Sequence, residues 1–178
     1  AVAQRAVIYE EDVTNPQRPK ATPGRVVWRL EAENAGQGQP LETVIRALVE
    51  YPEIGMTLTM TMRRNTDPAL PASHTIDLSF VSPGEGRTVR EAGVLLLKSD
   101  ESVRATPTAG LPVPVRDNLF LIGLSNLPGD VERNTDLLRT RNWIDLPIRF
   151  ASGQRAILTF EKGVSGEQVI AEAFARWK

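Results

Sequence analysis

The chain has 178 residues, no cysteine, one histidine, and 21 basic side chains against 22 acidic ones. The lack of cysteine excludes disulfides, thiol catalysis and cysteine-ligated zinc. A net charge of −1 lacks the basic footprint of a nucleic-acid binder, so no nucleic-acid partner is expected. With 41% hydrophobic and 24% charged residues, the composition is that of a folding chain, and one domain over residues 1–178 is expected. No run reaches the roughly 18 apolar residues of a membrane span. The start, Ala1-Val2-Ala3-Gln4-Arg5, has neither an initiator Met nor a signal pattern and reads as a cut point in a longer protein.

Taken in order, the elements are mostly strands. Arg5 to Tyr9 is β-prone, a loop is expected from Glu11 to Gly24, and Arg25 to Leu30 is a second strand. Asn34 to Pro40 reads as loop and Leu41 to Tyr51 as strand. Met56-Thr57-Leu58-Thr59-Met60-Thr61-Met62 alternates strictly, which puts the apolar set on one sheet face and the threonines on the other. Arg63 to Pro71 breaks that pattern, and His74 to Phe80 resumes it, so these two strands are expected to pair across a long polar loop. A turn follows at Ser82 to Gly86, then short runs at Val94–Lys98, Ser102–Thr106 and Leu111–Arg116. Pro107, Pro112 and Pro114 place the last of these at a sheet edge. Asn118 to Leu124 reads as a buried strand, and Ile144–Phe150 with Gln154–Phe160 as a hairpin. A short internal helix is expected from Val131 to Arg139, capped by Asp130. A C-terminal helix is expected behind a Ser165…Gln168 capping box, with Val169, Ile170, Ala173, Phe174 and Trp177 as its apolar stripe. The fold class that follows is mainly β, sandwich-like or jelly-roll-like, with these two helices.

Catalytic constellations are hard to assemble from this set. His74 is the sole imidazole, and on a strand its neighbours Ser73 and Thr75 are expected to point away from it. Gly123-Leu124-Ser125-Asn126-Leu127 starts like a nucleophile elbow but lacks the second glycine. Glu10-Glu11-Asp12 reads as a solvated turn rather than a calcium loop, and no phosphate-binding glycine loop is present. No metal, no cofactor and no catalytic residue is therefore assigned. The unusual segment is the loop that carries Arg63, Arg64, Asn65, Asp67 and His74. Its guanidinium groups suit a carboxylate or another anion. The competing account is that these groups bond one another and stiffen the loop. Arg133-Asn134-Thr135-Asp136, with Arg139 and Arg141, poses the same choice. Exposed rings at Trp28 or Trp143 would instead suit a carbohydrate-binding module.

Arg63-Arg64-Asn65-Thr66-Asp67, Leu70 to Thr75, Phe120 to Ser125, Arg155 to Gly163 and the opening Arg5 to Asp12 together resemble a family of alphaproteobacterial proteins of unknown function. Members look like single-pass membrane proteins: a cytoplasmic segment, one hydrophobic span, a Pro-rich linker, then this domain. The resemblance implies a periplasmic location, tethered to the inner membrane by an upstream segment outside this chain. It carries no activity to transfer. A fainter likeness in layout is to the invasion-associated locus B proteins. The expectation is a non-catalytic extracytoplasmic module that binds a protein or cell-envelope component. The alternatives are a small-ligand binder or enzyme using the Arg63–His74 loop, and a sugar-binding module.

Overall fold

The computed structural model describes residues 2–178, apart from the side chain of Glu85. Ala1, the first residue of the expected cut point, lies outside the described residues. The chain is mainly β, as expected. Its strands are β1 (Ala3–Glu10), β2 (Lys20–Asn34), β3 (Leu41–Tyr51), β4 (Met56–Arg64), β5 (Ala72–Val81), β6 (Val89–Ala92), β7 (Leu96–Lys98), β8 (Thr106–Pro107), β9 (Gly110–Arg116), β10 (Leu119–Ser125), β11 (Trp143–Phe150) and β12 (Arg155–Glu161). The helices are α1 (Pro128–Thr140) and α2 (Gly163–Arg176). All described strand pairs are antiparallel and belong to one curled sheet, in the order β8-β7-β11-β12-β1-β2-β3-β4-β5-β10-β9, with β6 also on β11.

The strict alternation at 56–62 sets the register of the centre. Met60 lies opposite Ala47 on one side and Leu78 on the other, and all three are buried. The β4–β5 and β11–β12 pairings are those read from the sequence. Side chains from both halves of the sheet, such as Leu78 and Phe120 with Leu146 and Phe160, meet in a single core.

The sheet's two margins are joined by one stretch of chain. Thr106 and Pro107 pair with β7, and three residues later β9 begins its pairing with β10. At the helix end, Thr108 donates from N and Oγ1 to Leu95 O, at 3.0 and 2.9 Å. The buried Asn134 of α1 donates to Ala109 O (2.9 Å) and accepts from Ala109 N (2.8 Å). At the far end stands Asn118, the one described non-glycine residue with a left-handed backbone (φ 66°). Its Oδ1 accepts from Val89 N (2.8 Å), its N donates to Val89 O (2.8 Å), and its O accepts from Phe80 N (2.8 Å). Asparagine tolerates this turn conformation while its amide reaches a neighbouring backbone. Pro112 and Pro114 lie on the terminal strand β9, in keeping with the expected edge.

Several boundaries differ from expectation for local reasons. β2 starts at Lys20, not Arg25, because residues 20–24 pair with β1. Gly24 is not a breaker there: a Cβ would lie 2.5 Å from the Tyr51 ring, so the glycine makes room for that buried side chain. β2 also runs on through Asn34. Arg63 and Arg64 belong to β4, not to the loop. Residues 102–105 form no strand, and β6 supplies an edge the alternation did not reveal. α1 starts at Pro128 with Leu127 at the cap position. Proline suits the first helical turn, where its missing donor costs nothing. Asp130 is therefore not the cap; it accepts from Ser125 Oγ (2.6 Å) and Arg133 Nη2 (2.9 Å). The Ser165…Gln168 capping box does not form either, since α2 begins at Gly163. Gly163 N donates to Asn142 Oδ1 (3.0 Å), so a distant residue replaces the local cap. Gly163 has φ 61°, and a Cβ there would collide with the Gln4 side chain. The apolar stripe of α2 is buried at Ile170, Ala173, Phe174 and Trp177 as expected, with Val169 partly so.

Asn118→Gly keeps the turn but strips the partner from Val89 N, and Asn134→Ala strips both partners from Ala109. Each is expected to cost about 1–3 kcal/mol. Urea unfolding should show this as a lowered midpoint, against an Asn126→Ala control at an exposed loop position that stays within about 0.5 kcal/mol of the parent.

Candidate functional site

The five side chains singled out in the 63–74 segment do not converge. Arg63, on the outer face of β4, meets both oxygens of Glu33 at 2.7 and 2.8 Å and also bonds Asp77. The paired carboxylates hold its guanidinium above the ordinary range, and Arg63 holds Glu33 below the ordinary carboxylate range. Arg64 bonds Glu42 through Nη2 at 2.9 and 3.2 Å. Asn65 Nδ2 donates to the carbonyls of Asp67, Leu70 and Ala72 (3.1, 2.9 and 2.8 Å). Asn65 Oδ1 accepts from Asp67 N, and Asp67 Oδ1 from Ala69 N. Asn65 and Asp67 thus hold the 65–71 turn through its own backbone. That geometry supports the stiffened-loop account at these two positions.

His74 lies directly opposite Arg64 in the register, at the end of the sheet covered by α2. Its ring stacks obliquely against Phe174 (5.4 Å between centroids) and Trp177 (4.9 Å). Trp177 Nε1 in turn donates to Thr43 O at 2.9 Å. Ser73 does not point away as alternation implied; its Oγ is 3.0 Å from His74 Nδ1. Burial first, and Arg64 second, lower the His74 pKa to about 4. The imidazole is therefore neutral at pH 7, a poor match to a general base working there. Ser125, from the elbow-like string, bonds Asp130 instead of an imidazole.

Other candidates resolve into pairs. Glu10 is buried against Arg87 (3.0 and 3.4 Å), Glu11 meets Arg155 (2.8 and 3.1 Å), and Asp12 accepts from Thr14. Among the described residues no three His, Asp or Glu groups gather in a metal-binding arrangement. Trp28, Trp143 and Trp177 are all buried, so none offers a free ring to a sugar.

Two features escaped the sequence. Lys162 is buried, with Nζ donating to Leu138 O (2.6 Å) near the C-terminus of α1, and desolvation brings its pKa down to about 8. No local pattern marks it, because the packing of α1 on α2 creates the pocket. The second is an apolar strip on β9. Leu111, Val113 and Val115 are 68%, 42% and 57% exposed, and Leu121 of β10 lies across from Val113. Here the alternation was legible, but which face stays open was not. Comparison with protein-family models, curated proteins and solved structures found no match.

The His74 geometry sets a pH dependence. The unfolded imidazole takes its proton near pH 6.5 and the folded one only near 4, so stability is full above 6.5 and falls as pH drops toward 4. The loss is at most about 3 kcal/mol, at 1.36 kcal/mol per pKa unit. His74→Phe should flatten the profile between pH 6.5 and 4.5, measured by urea unfolding at each pH. The depressed carboxylates Glu33 and Glu101 contribute only below that window.

Proposed function

We propose that this chain is a non-catalytic extracytoplasmic binding module that presents the outer face of β9 and β10 to a protein partner of the cell envelope. The observation that carries the reading is the exposed strip Leu111, Val113 and Val115 on a terminal strand. A contiguous apolar strip on a surface otherwise built of ion pairs is what a docking face requires. Leu119 and Leu121 extend it, and beyond them lies a polar groove of about 410 Å³ lined by Arg46, Thr59, Thr61 and Asp77. An apolar centre with a polar margin is the common anatomy of a protein interface.

The periplasmic location, with an inner-membrane tether upstream, rests on the family resemblance. No described helix is long and apolar enough to cross a membrane. The same proposal takes the curled sheet as sandwich-like or jelly-roll-like layering, supported by the single core shared between β4, β5 and β10 and β11 and β12. The charge pairing in the 63–74 segment favours a structural role there over anion binding, since Arg63 and Arg64 already meet carboxylates.

Photo-crosslinking from position 113 or 111 in the intact protein in cells tests the docking face. One discrete adduct is expected there and none from Arg29 on exposed β2; equal yields at both places would contradict it. Trypsin added to spheroplasts tests location: the chain should be degraded while a cytoplasmic control survives, and protection of the chain would remove the extracytoplasmic part.

A further inference from the structure

Between the two places where Asn118 and the Thr108–Asn134 pair close the sheet, β6 and β9 run side by side with no ladder between them. A cleft of about 490 Å³ opens there, within the range of small-molecule sites. Its floor is Ala92, Gly93, Pro114, Phe120, Pro147 and Ile148. Gly93 donates its N–H to Pro147 O (2.9 Å), and a Cβ on it would sit 2.9 Å from Pro147 Cγ, so this close approach shapes the floor. The rim carries three guanidinium groups, Arg90, Arg149 and Arg155, against one carboxylate, Glu91.

Two occupants suit an apolar gap between strand edges: an added peptide strand or an amphiphile. Pro112 and Pro114 decide between them. Because β9 pairs with β10, its ladder donors must come from alternate residues, and the proline nitrogens face the open margin. That margin offers an incoming strand no donor at either position, which works against strand addition. An apolar chain needs no such donor, and an anionic head suits the rim's excess of positive charge.

We infer that the β6–β9 cleft is a binding site for a long-chain carboxylate, with the acyl chain over Pro147, Ile148 and Phe120 and the carboxylate on Arg90 and Arg149. Arg149 meets Glu91 at 3.0 Å and Arg90 meets Asp117 at 3.4 Å, both exposed pairs. Exposed pairs of this kind are worth little, so a ligand carboxylate can compete for the guanidinium groups. This site is separate from the β9 docking face and does not rest on it.

The test uses dodecanoate below its micelle concentration, with dodecanol as the uncharged probe. Binding is followed by calorimetry and by amide shifts in the labelled protein. Saturable one-to-one binding is expected, with shifts confined to residues around 90–93, 114 and 147–149. Arg90→Gln/Arg149→Gln should weaken dodecanoate at least about tenfold, equivalent to 1.4 kcal/mol, and leave dodecanol unchanged. Unchanged shifts elsewhere would show that the variant is folded. The inference is overturned by the absence of saturable binding, by equal affinity in the double variant, or by shifts spread over the outer surface. It is equally overturned if an extended apolar peptide binds the same amides more tightly than dodecanoate.

Discussion

A sheet that curls leaves two margins of unpaired amides and carbonyls, and residues 106–118 serve both. Thr106–Thr108 joins the β7 side, Gly110–Arg116 joins β10, and Asn118 returns the hairpin tip to Val89. Unpaired buried backbone groups are costly, so these few bonds determine whether the core behind them stays dry. The remaining architecture follows from that closure. Once the margins meet, the curl leaves two open ends; α2 covers one with Phe174 and Trp177, and the buried Glu10–Arg87 pair lies at the other.

The same closure explains where charge and open space fall. On the outer face, arginines meet carboxylates strand to strand, as with Arg63, Glu33 and Asp77 or Arg46, Glu31 and Glu33. Groups that looked free in the sequence are therefore bound to one another across β2, β3, β4 and β5. The unmatched features lie at the seam: an apolar strip on the outer side of β9, and an arginine-rimmed cleft on its open margin. Binding surfaces gather where the sheet is least regular, as expected of segments not committed to ladder pairing.

Much of the sheet was legible because its periodicity is local. Met56 to Met62 announces its own register, and the 144–160 hairpin carries its turn with it. The prolines of β9 marked an edge because a missing donor has only one tolerable place in a sheet. What could not be read depends on contacts far apart in sequence. Thr22-Pro23-Gly24 resembles a loop until Tyr51 is placed over Gly24. Ser165 resembles a cap until Asn142 supplies one from another element. In the candidate segment, the polar character of Asn65 and Asp67 was plain, but their inward hydrogen bonds needed the turn to be built. The Ser73–His74 contact defied simple alternation, and nothing in the sequence placed Phe174 and Trp177 over that imidazole.

Amide hydrogen exchange under native conditions tests the closure most directly, because it reads the bonds themselves. The amides of Val89, Thr108, Ala109 and Asn118 are predicted to exchange as slowly as those of Met60 and Leu78 in the sheet centre. Exchange at these four positions as fast as in the exposed 35–39 turn, with the centre still protected, would contradict the account.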